Sequence, residues 1–202
     1  MKKSKAETAE THKRIVAVAA KAFKEKGIAA TGVAEIMSTA GLTHGAFYRH
    51  FSSKEALVAE AAALSIEVFV EAAEAAAAKG PPSFLKYLRG YLTSEVRDGV
   101  LGGCPVVQMG SELARADATT REGVSNGLRQ LIDIAVKISG DAPGTSAEDD
   151  AIFTLSASIG AITMARLFDD PKFSDRIVNI TKRRLLKPVT KIQDENAKTS
   201  RV

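Results

Sequence analysis

Ala40-Gly41-Leu42-Thr43-His44-Gly45-Ala46-Phe47-Tyr48-Arg49-His50-Phe51 is the stretch on which the reading of this chain turns. Upstream of it, a short helix after Thr31 carries Val33, Ile36, Met37 and Ala40 on one face, and Gly41 stops it. Thr43 can cap a third short helix, His44 to His50, which buries Phe47 and Phe51. Ahead of both, a first helix places Ile15, Val18, Ala19, Ala22 and Phe23 at the spacing of one apolar stripe and ends at Gly27. Two short helices joined by three residues, with a longer helix beside them, make a helix-turn-helix, whose second paired helix lies in the DNA major groove. The spacing alone also occurs in proteins that bind no DNA, so the outward-facing residues have to decide.

Those residues are His44, Gly45, Ala46, Tyr48, Arg49 and His50. Gly45 and Ala46 are small enough for the backbone to approach base edges, and Tyr48, His50 and Arg49 can donate to phosphates. Ser52 and Glu55 then fit a capping box for a long fourth helix through Leu57, Ala61, Leu64 and Val68. Lys54 falls in the first turn of that helix, where the macrodipole disfavours a cation by up to about 1 kcal/mol. An outside phosphate at the same helix start would reverse that penalty.

Charge is distributed in the same sense. The 202 residues carry a formal +4, but residues 1–54 alone hold +6 and the remainder −2. A basic head on a near-neutral body is the electrostatic footprint of nucleic-acid binding, although a solvated lysine-rich helix has it too. Hydrophobic residues at 45% and charged residues at 26% exclude a disordered chain. No apolar run is long enough to span a bilayer, and the basic start Met1-Lys2-Lys3-Ser4-Lys5 lacks the apolar run of a signal peptide. One cysteine, Cys104, cannot form an internal disulfide, so the expected address is the cytoplasm.

The rest of the chain reads as helix. After Gly80-Pro81-Pro82 a fifth helix runs to about Arg97, and Pro105 opens a sixth. Asp117 caps a seventh that ends near Gly140, and Ser146 starts an eighth, apolar nearly all round, as a buried central helix would be. A ninth covers Phe173 to about Lys187. The expected fold class is all-α, about nine helices: a three-helix helix-turn-helix DNA-binding domain at 1–54, a larger helical ligand-binding and dimerisation domain at 55–188, and a polar tail at 189–202.

The stretch from Thr31-Gly32-Val33-Ala34-Glu35-Ile36 through Leu57 resembles the DNA-binding domain of the tetracycline-repressor (TetR) family. Its most specific signature is Tyr-x-His-Phe-x-x-Lys-x-x-Leu, here Tyr48, His50, Phe51, Lys54 and Leu57. The resemblance is strong over roughly residues 8–60. It implies a homodimeric transcriptional regulator, usually a repressor, released from a palindromic operator on double-stranded DNA by a small molecule. By the resemblance, Thr31, Thr43, Tyr48, His50 and Lys54 match phosphate-contact positions. His44, Gly45, Ala46 and Arg49 match positions that face bases or lie beside them.

The body must then sense and dimerise. The resemblance implies dimerisation through the last two helices, with Leu155, Ile159, Ile162 and Arg166 of the eighth and Ile177, Ile180 and Arg184 of the ninth as candidates. Pocket candidates are Phe84, Tyr87, Leu88 and Tyr91 on the fifth helix, Cys104, Val107, Gln108 and Glu112 on the sixth, and Phe153, Ser156 and Met164 on the eighth. No charged cluster lies among them, so a mostly apolar effector is expected. Cys104, at the expected cap of the sixth helix, is a candidate thiol for electrophiles, a use known in one TetR subgroup that the Gly-Cys-Pro-Val-Val run resembles. The competing account of a lone cysteine is a small buried hydrophobe.

Enzymatic function is not expected. The histidines His12, His44 and His50 all lie in the head, with no metal-ligand spacing, and Cys104 has no histidine in its own domain to activate it. No metal, cofactor or membrane partner is expected. The alternatives are a non-specific DNA-binding protein and a helical interaction module without regulated DNA binding.

Overall fold

The computed structural model describes residues 5–100, 103–140 and 146–186, and those residues fold without strands. Residues 1–4, 101–102 and 141–145 and the tail from Lys187 onward lie outside the described residues. Helix α1 (Lys5–Lys26) buries Ile15, Ala19 and Phe23 along the stripe expected for it. It packs over α2 (Val33–Thr39) and over α3 (Lys54–Ala77). Between α2 and α3 lies η1 (His44–Arg49), a 3-10 turn rather than an α-helix. Its ends close through i to i+3 bonds, Ala46 N to Thr43 O at 3.0 Å and His50 N to Phe47 O at 2.8 Å. Ile15, Phe23, Ile36, Met37, Phe47 and Leu57 are all but sealed from water and form one core. His12 adds a polar pin, with Nε2 2.6 Å from Glu60 Oε2 on α3 and its ring stacked on Phe51.

The head core does not stop at the expected boundary. Met109 and Leu113 of α6 (Pro105–Leu113) and Val124 of α7 (Ala118–Ser139) belong to the same buried cluster. Beyond the head, α3 continues as a 24-residue rod along α7, and α7 is followed by α8 (Ser146–Ala165) and α9 (Pro171–Leu185), which pack on one another. The α3–α7 crossing is close because Gly127 has no side chain where Ile66 approaches. Among the described residues, no helix is long and apolar enough to cross a membrane.

Three local expectations are corrected. The fifth predicted helix is two, α4 (Pro81–Tyr91) and α5 (Ser94–Arg97). Leu92 leaves helical geometry at ψ 71°, and Thr93 turns extended to cap α5, accepting from Val96 N. The cap of α3 is Ser53, not Ser52; Ser53 Oγ accepts from Ala56 N. Glu55 folds back on its own N–H and on Ser53, which lowers its pKa below the ordinary carboxylate value. Finally, α8 is not buried all round: Ile152, Phe153, Met164 and, just past its end, Leu167 and Phe168 are exposed. The Asp117 cap and the Pro105 start stand where the sequence put them.

Candidate nucleic-acid interface and effector cavity

The recognition turn η1 is anchored from below and bare above. Phe47, 1% exposed, plugs it into the head core, and the ring of Phe51 stacks on it at 5.5 Å. This fixes which residues face outward. Thr43, His44, Gly45, Tyr48 and Arg49 are exposed, with Tyr48 at 69%. An aromatic phenol so far out of the core leaves its hydroxyl free for a phosphate oxygen. Ala46 and His50 are half-buried on the flanks of the turn. A Cβ added at Gly45 would meet nothing within 4 Å, so this edge of η1 is open for a groove to approach.

Two of the residues matched to phosphate positions are placed differently. Thr31 is fully buried, and its hydroxyl donates to Gly27 O at 2.7 Å, so its side chain closes the turn between α1 and α2. Lys54 does lie in the first turn of α3, but its ammonium donates to Ile28 O at 2.7 Å. That internal acceptor helps to accommodate a cation at an unfavourable end of the helix.

The body contains a cavity of about 550 Å³, within the range that takes a drug-sized molecule. Helix α3 contributes Ile66, Phe69 and Ala73, and α4 contributes Phe84, Tyr87, Leu88 and Tyr91. Helix α7 lines it with Leu128, Leu131, Ala135 and Ile138, a stripe legible in the sequence by its spacing but not singled out there. Cys104 stands in the wall, 5% exposed, as the N-cap residue of α6. Asp150, itself exposed, is the one residue charged at neutral pH among the described lining residues.

Two phenols give the cavity its polar character. Tyr87 Oη donates to Phe69 O at 3.1 Å, and burial pushes its pKa up to about 12. Tyr91 Oη is buried without a hydrogen-bond partner of normal geometry. Burial first, and the neighbouring Cys104 thiol second, hold its pKa far above the ordinary tyrosine value. Both phenols therefore stay neutral donors at physiological pH.

Six of the eleven pocket candidates lie elsewhere. Val107 packs against Leu92, Ala161 and Ile162 in a separate small core. Gln108 accepts a hydrogen bond from Arg166 of α8. Glu112 reaches the head, where its carboxylate accepts from Ile28 N and Ala29 N. Phe153, Ser156 and Met164 are exposed on the outer face of α8. The dimer candidates are shifted in the complementary sense. Leu155 and Ile159 line the cavity, Ile162 is fully buried, and Ile177 packs in the α8–α9 core. Only Arg166, Ile180 and Arg184 of that set are exposed. One rotation of α8 explains both errors: the face taken as inward looks outward, and the reverse.

Residues 15–61 match the sequence profile of bacterial regulatory proteins of the tetR family. The match runs from α1 through η1 into α3. Over these residues the chain is similar to the TetR family. That family consists of transcriptional regulators rather than enzymes. A related sequence is an uncharacterized HTH-type transcriptional regulator, YerO of Bacillus subtilis (strain 168), 38% identical over 93 residues. The matched part covers 44% of this chain and 32% of YerO, so it spans only about a third of that relative's length. Whole-chain likeness comes from solved structures. A TetR transcriptional regulator of Chloroflexus aurantiacus J-10-FL superposes with TM-score 0.72 at 25% identity, covering 90% of this chain and 94% of the other. The reduced form of E. coli NemR superposes with TM-score 0.74 at 18% identity, over 87% and 95%, a likeness of fold.

Proposed function

We propose that this protein is a homodimeric, sequence-specific DNA-binding repressor of the TetR family that leaves a palindromic operator when a small, uncharged, mostly apolar molecule fills the body cavity. The observation that carries this reading is the course of α3. Its first turn lies next to η1, and Ile66, Phe69 and Ala73 farther along it wall the cavity. A ligand that displaces this rod favours the state in which the recognition turns no longer match two major grooves. The extent of release equals the ligand's differential affinity for the two states. An apolar lining with no buried charge favours an uncharged effector, and the unpartnered hydroxyl of Tyr91 offers it one polar anchor. Cys104, in the same wall, is where an electrophilic effector would meet a thiol.

The outer face of α8 supports the dimer. Phe153 at 65% and Leu167 at 79% exposure, with Ile152 and Met164, form an apolar surface of the kind that subunit contact covers. Phe173 and Ile180 of α9 are exposed as well. Sedimentation of a Phe153→Glu, Leu167→Glu variant tests this assignment. Monomers with a folded head and operator affinity down by at least about 100-fold, the avidity of a second head, are expected. A variant that stays dimeric and still binds the operator would overturn it.

A further inference from the structure

The turn that enters the helix-turn-helix is held from both sides. Gly27, at φ +86°, ends α1 in the left-handed conformation and leaves the next two backbone N–H groups pointing the same way, a small anion-binding concavity. Glu112 fills it: Oε2 accepts from Ile28 N at 3.1 Å and Oε1 from Ala29 N at 2.8 Å. From α3, Lys54 takes the Ile28 carbonyl. A Cβ on Gly27 would come within 3.2 Å of Glu112 Oε2, so the close approach as well as the backbone angle calls for glycine.

Glu112 belongs to the body, on the last turn of α6. The first residue of that segment, Cys104, stands in the cavity wall, about 12 Å away at 1.5 Å per residue. Midway, Gln108 is tied to Arg166 of α8. Helix α6 is thus a short strut with one end in the cavity wall and the other bonded to the head. Met109 and Leu113 pack its apolar side into the head core.

We propose that Glu112 is a positioning residue that fixes the angle of the DNA-binding head on the body, and with it the half-site spacing that the dimer accepts. The proposal rests on the reading of the protein as a dimeric operator binder. A carboxylate spanning two consecutive amides defines a direction, which apolar contacts alone do not. Loss of that bond leaves each head folded and able to bind a half-site, but free to swivel.

The test uses the full-length protein, Glu112→Gln and Glu112→Ala. The probes are three duplexes built from a palindrome selected by the wild type: the palindrome itself, a single half-site, and the palindrome lengthened by one central base pair. One base pair rotates and displaces the second half-site by about a tenth of a helical turn. The wild type should prefer the original spacing, and the variants should lose about tenfold of that preference while holding half-site affinity within about twofold. Amide exchange at Ile28 and Ala29 should accelerate in Glu112→Gln with the thermal midpoint of the protein lowered by no more than a few degrees. Half-site and palindrome affinities falling in parallel, or an intact spacing preference, would overturn the proposal. A wild type indifferent to spacing would instead overturn the dimeric reading beneath it.

Discussion

Gly127→Ala probes the crossing of α3 and α7, where Gly127 meets the cavity-lining Ile66. The added methyl would stand 2.5 Å from Ile66 Cγ2 and 2.8 Å from Cγ1, inside any normal van der Waals distance. Ile66 is 4% exposed and β-branched within a helix, so its χ1 strongly prefers one well and has little room to turn. Overpacking of this kind costs about 1–3 kcal/mol. Alanine returns about 1 kcal/mol of helix propensity, so the net loss of stability is roughly 0–2 kcal/mol. The sharper quantity is the coupling. In an Ile66→Ala background the two clashing atoms, Cγ2 and Cγ1, are gone and only Cβ remains, at 3.3 Å, so the same Gly127→Ala change should stabilise by up to about 1 kcal/mol. The predicted interaction between the two sites is therefore about 1–3 kcal/mol, in the range measured for residues in contact. Urea denaturation followed by circular dichroism, at one fixed protomer concentration, would resolve it as a midpoint shift of about 0.5–1.5 M. Gly127→Ala having the same effect in both backgrounds would refute the reasoning.

Two further expectations concern the phenols and the recognition turn. Tyr48→Phe should weaken binding to a selected operator by roughly three- to tenfold without altering the salt dependence, whereas Arg49→Ala should flatten the slope of log affinity against log salt by about 1; titrations at several salt concentrations check both. At neutral pH, Tyr87→Phe should lose about 1 kcal/mol with the bond to Phe69 O. The folded-state pKa of Tyr87, about 12, exceeds the ordinary value of 10.0, so the folded protein binds the proton more tightly and wild-type stability falls as pH rises from about 10 to 12. The stability gap over Tyr87→Phe should therefore close and reverse across that window, and a constant gap up to pH 12 in denaturation curves would contradict the burial of this phenol.

The head was legible because short-range rules govern it. Gly27 and Gly41 break helices where left-handed backbone is needed, and the apolar spacing around Ile15, Ile36 and Phe47 has one inward face. Local rules failed where a residue has a partner far away in sequence. Lys54 and Thr31 look like ligands of an external phosphate until the turn at 27–29 is placed beside them, and Glu112 looks like a pocket residue until the head is docked against α6. Helix α8 failed for another reason. Apolar on every side, its periodicity does not say which face meets the cavity and which is left outward, and only its neighbours α7 and α9 decide. The cavity stripe on α7, Leu128 to Ile138, was readable in spacing, but nothing local distinguishes a stripe that packs solidly from one that borders a void.

The central claim, that the exposed residues of η1 read a DNA sequence as part of a dimer, is tested most directly by selecting duplexes from a randomised pool with the purified, ligand-free protein at moderate salt. One palindrome with half-sites a helical turn or a multiple apart should be enriched, and Tyr48→Ala with Arg49→Ala should abolish that enrichment. Recovery of unenriched DNA, or of none, would contradict the claim.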